Sequence, residues 1–206
     1  DELGRFPKGA GYPGGKADWG WVQVINASLN QAGRAAIVLD TGAASRGSGS
    51  ASSNKERDVR RWFVQQDLIE GVIYLRDNLF YNTNAPGIIL FLNQARPAER
   101  RGKLFLLHGG REFVKGEPKN YIPPDAIDRI VSAYKGWQAI EGYSAVVCLD
   151  EIATNDFNIS PSRYIHNSES GEYRPIFEIL EELDVLEQEA QAANQALRKL
   201  LSPLLA

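Results

Sequence analysis

The sequence predicts an α/β protein: the second half of an open, doubly wound sheet that ends in an antiparallel strand pair, followed by a long C-terminal helix. Helix-like and strand-like segments alternate from residue 17 to residue 92, as they do in such sheets. The strand-like runs at 70–75 and 87–92 are too close for a helical crossover, so we expect them to run antiparallel. Beyond residue 175 the apolar residues recur with the period of a coiled coil.

The chain begins with a loop, a helix and a strand. Residues 1–16 contain glycines and prolines without an apolar period, which indicates a loop. Asp18 is placed to cap a helix whose apolar face includes Trp21, and Gly33 would end that helix. Residues 34–39 form a continuous apolar run, which favours a strand buried on both faces.

A segment rich in Gly, Ser and Ala follows this strand. Residues 40–54 lack bulky apolar side chains, and we interpret them as a mobile loop. Asn54 can cap a second helix over residues 55–66, with Val59 and Phe63 on one face. The body is completed by a strand at a sheet edge, a helix and a short strand, predicted at residues 103–107, 125–140 and 145–149.

The C-terminal segment differs from this body. Its apolar residues alternate at steps of four and three, which is typical of a coiled-coil seam. The seam consists of Ile179, Leu183, Leu186, Ala190, Ala193, Leu197, Leu200 and Leu204. We therefore predict two domains, a body at 1–165 and a helical tail at 172–206, with Pro175 in the first helical turn and Pro203 at its end. An amphipathic helix folded onto its own domain is the alternative, because alanine in the middle of the seam weakens it.

Composition excludes several classes of protein. The 206 residues include one cysteine, which permits no internal disulfide and favours a reducing, cytoplasmic environment. His108 and His166 are too far apart for a zinc cluster of the usual spacing, so we expect no metal site. No apolar run approaches the ~20 residues of a membrane span. The sequence contains no methionine, and we therefore expect it to be a piece of a longer protein.

The net charge of −3 argues against binding nucleic acid through bulk charge. Basic residues cluster at 55–61 and 96–119, and a solvated protein face is the ordinary interpretation of such clusters. The tail is acidic between Glu172 and Glu189, which argues against this helix lying along DNA. Any contact with DNA is expected to come from a local surface or from a partner.

Local catalytic patterns give no further direction. The glycines at 9–15 follow no predicted strand and lack a phosphate-binding spacing, and neither histidine stands in a recognisable Ser/His/Asp arrangement. The residue patterns therefore lead to half of a doubly wound domain with a helical tail. They leave open a non-catalytic α/β interaction module whose tail binds a partner.

Ordered sequence blocks carry the interpretation further. They include Arg5-Phe-Pro7, Ala17-Asp-Trp19, Gly33-Arg-Ala-Ala-Ile-Val-Leu39, Ser45-Arg-Gly47, Asp67-Leu-Ile-Glu-Gly-Val-Ile73, Asn78-Leu-Phe-Tyr-Asn-Thr83, Arg111-Glu-Phe113, Lys119-Asn-Tyr-Ile122, Ile127-Asp-Arg-Ile130, Asn155-Asp-Phe-Asn158 and Ser160-Pro-Ser-Arg-Tyr164. In this order they resemble the modification subunits of type I restriction–modification systems. The resemblance implies a Rossmann-like sheet and the C-terminal portion of an adenine-specific DNA methyltransferase that uses S-adenosylmethionine.

The resemblance also implies that the catalytic apparatus lies upstream of residue 1. In the family, a glycine-rich cofactor loop and an Asn-Pro-Pro-aromatic motif precede the corresponding segment, and no Asn-Pro-Pro occurs here. We therefore expect S-adenosylmethionine to be bound mainly by the upstream half and this fragment alone to be inactive. A sheet divided in this way exposes an edge strand and apolar surface, so dimerisation or poor solubility of the fragment is expected.

The resemblance places the target base beside the loop between the antiparallel strands. Related adenine methyltransferases position residues next to the flipped base in this loop, so Phe80, Tyr81 and Asn82 are expected to face the base or the DNA. The alternative is that the two aromatic side chains simply pack the hairpin.

The loop after the first strand is the second place where we expect DNA. It follows the carboxyl end of a strand, the side on which such sheets bind ligands. Arg46 is the expected phosphate contact, with Lys55 and Arg57 beside it, and a flexible linker is the alternative. Asp18 and Trp19 are positioned to border the cofactor, although capping and core packing explain them equally well.

The helical tail is expected to bind a partner. In type I systems a separate specificity subunit reads the target sequence, and the resemblance implies that the exposed seam binds its helical spacers. The full complex would also contain DNA and a restriction subunit. We expect no contact with a membrane.

Overall fold

A five-stranded sheet with helices on both faces forms the first of two units. The computed structural model describes residues 2–165 and 176–201, and the chain divides after residue 168 into a body and a tail. The strands are β1 (Arg34–Asp40), β2 (Ile69–Leu75), β3 (Gly87–Asn93), β4 (Lys103–Gly109) and β5 (Ser144–Cys148). The helices of the body are α1 (Asp18–Ser28), α2 (Lys55–Gln65), α3 (Pro124–Gly136), α4 (Leu149–Thr154) and α5 (Pro161–Tyr164), with 3₁₀ turns at Thr41–Ala44 and Ala98–Arg100.

The strands follow the order β1-β3-β2-β4-β5 across the sheet. Strand β3 runs antiparallel to both of its neighbours, which confirms the predicted antiparallel pair of β2 and β3. Strands β2 and β4 are parallel, whereas β4 and β5 are antiparallel. Because β3 reverses direction between them, β1 and β2 point the same way, and their carboxyl ends lie at the same end of the sheet as that of β4.

Alternate side chains of each strand enter two different cores, as the period of two requires. Ile37 and Leu90 belong to the core that α1, α2, α4 and α5 cover. Ile73 and Phe105 belong to the core on the opposite face, which α3 covers. The sheet therefore has helices on both faces, as predicted for a doubly wound protein.

Two helices begin and end for local reasons. The Asn54 side chain caps α2 as predicted, since its Oδ1 accepts a hydrogen bond from the backbone N–H of Arg57 at 3.0 Å. Helix α3 has Pro124 in its first turn and ends at Gly136, earlier than predicted, because Trp137 adopts a left-handed φ of 51°.

Helix α1 differs from the prediction in its cap and in its buried face. Asp18 is the first helical residue rather than the cap, and its carboxylate binds Arg46 instead. The buried residues are Trp19, Val22 and Gln23, whereas Trp21 is 62% exposed. Two residues along a helix correspond to about 200° of rotation, so burying Trp19 turns Trp21 outward.

Two strand predictions are wrong. Strand β1 is not buried on both faces: it stands first in the strand order, and Val38 is 56% exposed while Ile37 is buried. Strand β4, predicted at an edge, lies between β2 and β5, and residues 104–107 are all buried. The apolar runs of the two strands are alike, and the pairing partners decide which of them is central.

Two arginines of the predicted basic clusters are internal rather than solvated. The fully buried Arg60 donates hydrogen bonds to the backbone oxygens of Ala43, Arg46 and Phe157. Burial lowers the pKa of Arg60 to about 10. Arg96 is also buried and pairs with Asp67 at 2.5 Å. Both side chains join segments that are distant in sequence.

The tail consists of one helix, α6 (Ile176–Leu201), within the predicted segment. Along the predicted seam Ile179, Leu183 and Leu186 are about half exposed. Phe177 and Leu180 are exposed too, so the apolar surface is wider than the seam. Ala190 and Ala193 are also exposed. His166, Pro175, Pro203, Leu204 and the side chains of Leu197 and Leu200 lie outside the described residues. In the described ranges, 2–165 and 176–201, no helix has the length and apolar character needed to cross a membrane.

Candidate functional site

The ends of four strands form one row across the sheet. Asp40 at the end of β1 pairs with Gly87 at the start of β3. Leu75 at the end of β2 pairs with both Gly87 and Gly109, the last residue of β4. We term this row the carboxyl edge, and ligands of α/β sheets bind outside such edges. Three loops leave the body from it: residues 41–54, 76–86 and 110–123.

The loop at 76–86 presents one partly buried and one exposed aromatic ring. The Phe80 ring lies directly over Gly87, where an added Cβ would stand 2.7 Å from its Cε2. Tyr81 is 84% exposed, and Asn82 beside it is exposed with a left-handed φ of 63°. Phe80 therefore packs the hairpin, as one interpretation held, while Tyr81 and Asn82 face outward.

Phe80 separates two clefts at the carboxyl edge. The Trp21 cleft has a volume of about 420 Å³, and Phe80, Trp21 and Val38 contribute to its walls. The Tyr121 cleft has about 440 Å³ and lies between Tyr81 and Tyr121, again with Phe80 in its wall. Both volumes are in the range of small-molecule sites, and both clefts offer aromatic faces to a planar group.

Arg46 binds carboxylates from three separate elements. Its Nε and Nη2 donate to the two oxygens of Glu56 at 2.6 and 3.1 Å, and its Nη1 donates to Asp40 at 3.0 Å. Its Nη2 also binds Asp18. The hydrogen bonds that Arg46 donates to Glu56 and Asp18 raise the pKa of Arg46, so it stays charged. Arg46, the expected phosphate contact, therefore binds carboxylates of the protein itself. It joins the start of α1, the end of β1 and the first turn of α2.

The loop at 41–54, predicted to be mobile, is fastened to the C-terminal end of the body. Arg57 donates to the backbone oxygen of Ser50 at 2.8 Å and to Oδ2 of Asp156 at 3.0 Å. The same carboxylate accepts a hydrogen bond from the N–H of Gly49. Lys55, by contrast, is exposed and pairs with no acidic residue in the described part of the chain. Of the three expected phosphate contacts, Lys55 is the one whose charge remains accessible.

Asp18 and Trp19 have different positions although they are neighbours. Trp19 is fully buried, stacks obliquely on Phe63 with ring centroids 5.5 Å apart, and donates to the backbone oxygen of Ala43. Its ring is therefore part of the core and leaves no face for a cofactor, in agreement with the core-packing alternative and not with a position beside the cofactor. Asp18 lies at the wall of the Trp21 cleft with its carboxylate bound to Arg46.

Three residues at the carboxyl edge were not identified from the sequence. Trp21 was assigned to a buried face, yet its exposed ring lines a cleft. Lys119 and Asn120 contact the 76–86 loop through hydrogen bonds from the loop after β4. Lys119 and Asn120 belong to one of the blocks that carry the resemblance, but the resemblance gave this block no role.

Comparison with known proteins decides the family. The sequence model of the N-6 DNA methylase family matches residues 1–173. The chain belongs to this family. It is 40% identical over 183 residues to the methylase subunit of the type I restriction enzyme MjaVIII from Methanocaldococcus jannaschii, a match that covers 87% of this chain and 30% of the relative. It is 31% identical over 164 residues to the HindI methylase subunit from Haemophilus influenzae, covering 76% and 35%.

A solved structure confirms the α/β fold. The methyltransferase subunit of a type I restriction-modification system from Streptococcus thermophilus superposes with a TM-score of 0.71 at 30% identity. The match covers 79% of this chain and 33% of that one. The chain thus spans about a third of the length of the relatives it matches, consistent with the expectation of a piece.

The Trp21 cleft does not by itself fit S-adenosylmethionine, the methyl donor used generally by this family. Binding its ribose and amino-acid groups would require free polar side chains. The two carboxylates of the cleft, Asp18 and Asp40, are bound to Arg46, and most of the remaining lining is apolar. The described residues of this cleft therefore do not form a complete cofactor site.

Proposed function

We propose that this chain is the C-terminal part of a type I restriction–modification methyltransferase subunit, which transfers a methyl group from S-adenosylmethionine to the exocyclic amino group of adenine in DNA. Family membership and the relatives' names support this activity. The structural observation that carries it is the aromatic loop at the carboxyl edge, with Phe80 seated on Gly87 and Tyr81 exposed beside it. The cofactor and the catalytic Asn-Pro-Pro motif are assigned to the part of the subunit upstream of this chain.

The chain's own contribution is to receive and orient the base. An adenine inside a duplex is inaccessible, so the base must leave the stack and enter a pocket with an aromatic face. Tyr81 is exposed for stacking, while the packed ring of Phe80 gives the pocket a rigid floor and excludes water. Asn82 offers an amide that can bind the polar edge of the base.

Contacts with the DNA backbone are proposed for Lys55. Lys55 is exposed at the amino end of α2, and it lines an open depression together with Lys16. Arg46 and Arg57 donate their hydrogen bonds to oxygen atoms of the protein, so we propose that they hold the 41–54 loop in place. This distribution agrees with a net charge of −3, because DNA contact then depends on a few local residues.

The tail is proposed to bind the specificity subunit. Helix α6 exposes Ile179, Leu183 and Leu186 on one face, which suits a helical partner. The restriction subunit would join the same complex. We place the protein in the cytoplasm, where its DNA substrate and its single cysteine are both expected.

The test uses the full-length subunit, with its specificity subunit, on duplex DNA that contains the target site. We expect Tyr81→Ala to reduce the single-turnover rate of adenine methylation about 5- to 150-fold, because base–aromatic stacking is worth about 1–3 kcal/mol. Phe80→Ala should cause a loss of similar size by removing the floor, whereas Tyr81→Phe retains the ring and should stay close to wild type.

The affinity for S-adenosylmethionine is the control, and it should be unchanged in all three variants. Fluorescence of 2-aminopurine at the target position would report whether the base still leaves the stack. Wild-type methylation rates in both alanine variants would refute the assignment of this loop to the base.

A further inference from the structure

The loop that carries Phe80 and Tyr81 accepts three hydrogen bonds from one lysine of a neighbouring loop. Lys119 lies in the loop between β4 and α3, and its Nζ donates three hydrogen bonds to the 76–86 loop. The acceptors are Oδ1 of Asn78 at 2.9 Å, the backbone oxygen of Thr83 at 2.9 Å and Oδ1 of Asn84 at 3.0 Å. One ammonium group thus joins the beginning of this loop to its end.

Asn120 extends the same contact along the backbone. Its N–H donates to the backbone oxygen of Asn78 at 2.9 Å, and its side-chain Nδ2 donates to that of Asp77 at 3.0 Å. The segment that carries both residues is itself fixed, because Val114 and Tyr121 exchange two backbone hydrogen bonds of 2.8 and 3.1 Å. Lys119 therefore acts from a supported position and not from a free loop.

The choice of acceptors separates this lysine from an ordinary surface cation. An ammonium group has three donors and no acceptor, and here all three donors are used. Every acceptor is a neutral oxygen, and no described carboxylate forms an ion pair with Lys119. Hydrogen bonds from a charged donor are stronger than neutral ones, so the lysine is well suited to ordering the loop.

The loop needs such support because its own bonds are few. Asn78 and Asn82 both have left-handed backbones, with φ of 57° and 63°. Across its base, the N–H of Asn78 donates to the backbone oxygen of Asn84 at 3.1 Å. Ordering a segment of this kind costs conformational entropy for each residue fixed. Without the hydrogen bonds from Lys119, the loop would have to become ordered when the base enters the pocket, and the entropy lost in ordering it would slow that step.

We infer that Lys119 is a positioning residue that orders the 76–86 loop before DNA arrives, so that Phe80 and Tyr81 already stand at the carboxyl edge when the base leaves the stack. This inference rests on the proposed function for its effect on methylation. The hydrogen bonds of Lys119 to the loop do not depend on that function, and they can be tested separately.

The experiment compares Lys119→Met with Lys119→Arg and with Lys115→Met in the full-length subunit and its specificity subunit. Lys115 is an exposed lysine of the same loop, without a described partner. Its replacement therefore removes the same charge but no hydrogen bond to the 76–86 loop. Hydrogen exchange of the peptide covering residues 77–86 measures how strongly the backbone of this loop is protected. We expect faster exchange in Lys119→Met, little change in Lys115→Met and partial protection in Lys119→Arg.

The functional measurement is the single-turnover methylation rate at saturating DNA, together with DNA affinity over a range of salt concentrations. Misplacing a binding group by about 1 Å costs up to about 100-fold, so we expect a 10- to 100-fold slower rate in Lys119→Met. The salt dependence of DNA affinity should be unchanged, whereas the loss of a phosphate contact would reduce it.

Three results would overturn the inference: unchanged exchange in Lys119→Met, equal losses of rate in Lys119→Met and Lys115→Met, or a reduced salt dependence in Lys119→Met alone. Failure of the proposed function looks different. In that case the wild-type subunit itself does not methylate adenine, while the exchange measurement still decides whether Lys119 orders the loop.

Discussion

Replacing Arg46 by methionine should destabilise the chain strongly, although Arg46 lies in a loop at the protein surface. Its guanidinium joins Asp18 at the start of α1, Asp40 at the end of β1 and Glu56 in the first turn of α2. The side chain of Glu56 is 7% exposed, compared with 28% for Asp18 and 56% for Asp40. Removing Arg46 leaves the Glu56 carboxylate buried without its hydrogen-bonded partner, while the charge of Arg60 still acts on it.

The size of the effect follows from these exposures. Breaking a fully buried ion pair costs about 3–5 kcal/mol, because the remaining charge has lost its partner. The pair with Asp40 lies in solvent and contributes at most about 1 kcal/mol. Since a quarter of the Arg46 side chain is accessible to water, we expect a loss of about 2–4 kcal/mol, which corresponds to a fall in Tm of roughly 5–15 °C for a chain of this size.

The assay is urea and thermal unfolding of Arg46→Met, Glu56→Gln and the double variant. Glu56→Gln removes the buried charge, so the double variant should be less destabilised than the sum of the two single variants by about 1–3 kcal/mol. Arg46→Lys should not rescue stability, because an ammonium group cannot reproduce the two-pronged contact with Glu56. A loss below about 1 kcal/mol in Arg46→Met, or strictly additive effects, would refute this account.

Two further predictions concern the pH response of the body and the tail. Burial lowers the pKa of His108, and Arg111 and Arg76 lower it further, so on acidification the unfolded chain binds the proton first. The free energy of unfolding should therefore fall as the pH drops below about 6.5, and His108→Asn should reduce this slope. An equal slope in the wild type and in His108→Asn would contradict the reasoning. In α6, Leu183→Glu should weaken binding to the specificity subunit at least about 10-fold, as expected for an apolar anchor, and ending the chain at residue 171 should abolish it. If binding to the specificity subunit survives this truncation, the apolar seam packs within the chain and does not bind the partner.

Local patterns predicted the elements that depend on neighbouring residues. Asn54 was recognisable as a cap because the N–H it accepts from lies three residues away, at Arg57. The antiparallel pair of β2 and β3 followed from the short connection between them. In contrast, the central position of β4 depends on β5, whose pairing residues begin at Ser144. No local period contains that information, so β4 was placed at an edge.

The roles of the cations were harder to predict for the same reason. Arg46 finds Glu56 ten residues away and Asp18 twenty-eight residues away, and Lys119 finds its acceptors thirty-five to forty-one residues away. The presence of a Lys or Arg in the sequence does not tell whether carboxylates or carbonyl oxygens will lie beside it in the folded chain. The resemblance led to Phe80 and Tyr81 because these residues belong to an ordered block, but it carried no information about what holds them in place.

The two cations brace the carboxyl edge in different ways, and the difference has a consequence for DNA. Arg46 is neutralised by carboxylates, so a phosphate approaching it would meet the negative charge of Asp40 first. Lys119 keeps a positive charge that no described carboxylate offsets, yet its donors are all taken by the 76–86 loop. A phosphate could compete for those donors only by loosening the loop that presents Tyr81. Binding of the DNA backbone at Lys119 would therefore oppose stacking of the base at Tyr81, and a site that must do both is better served by phosphate contacts elsewhere, as at Lys55.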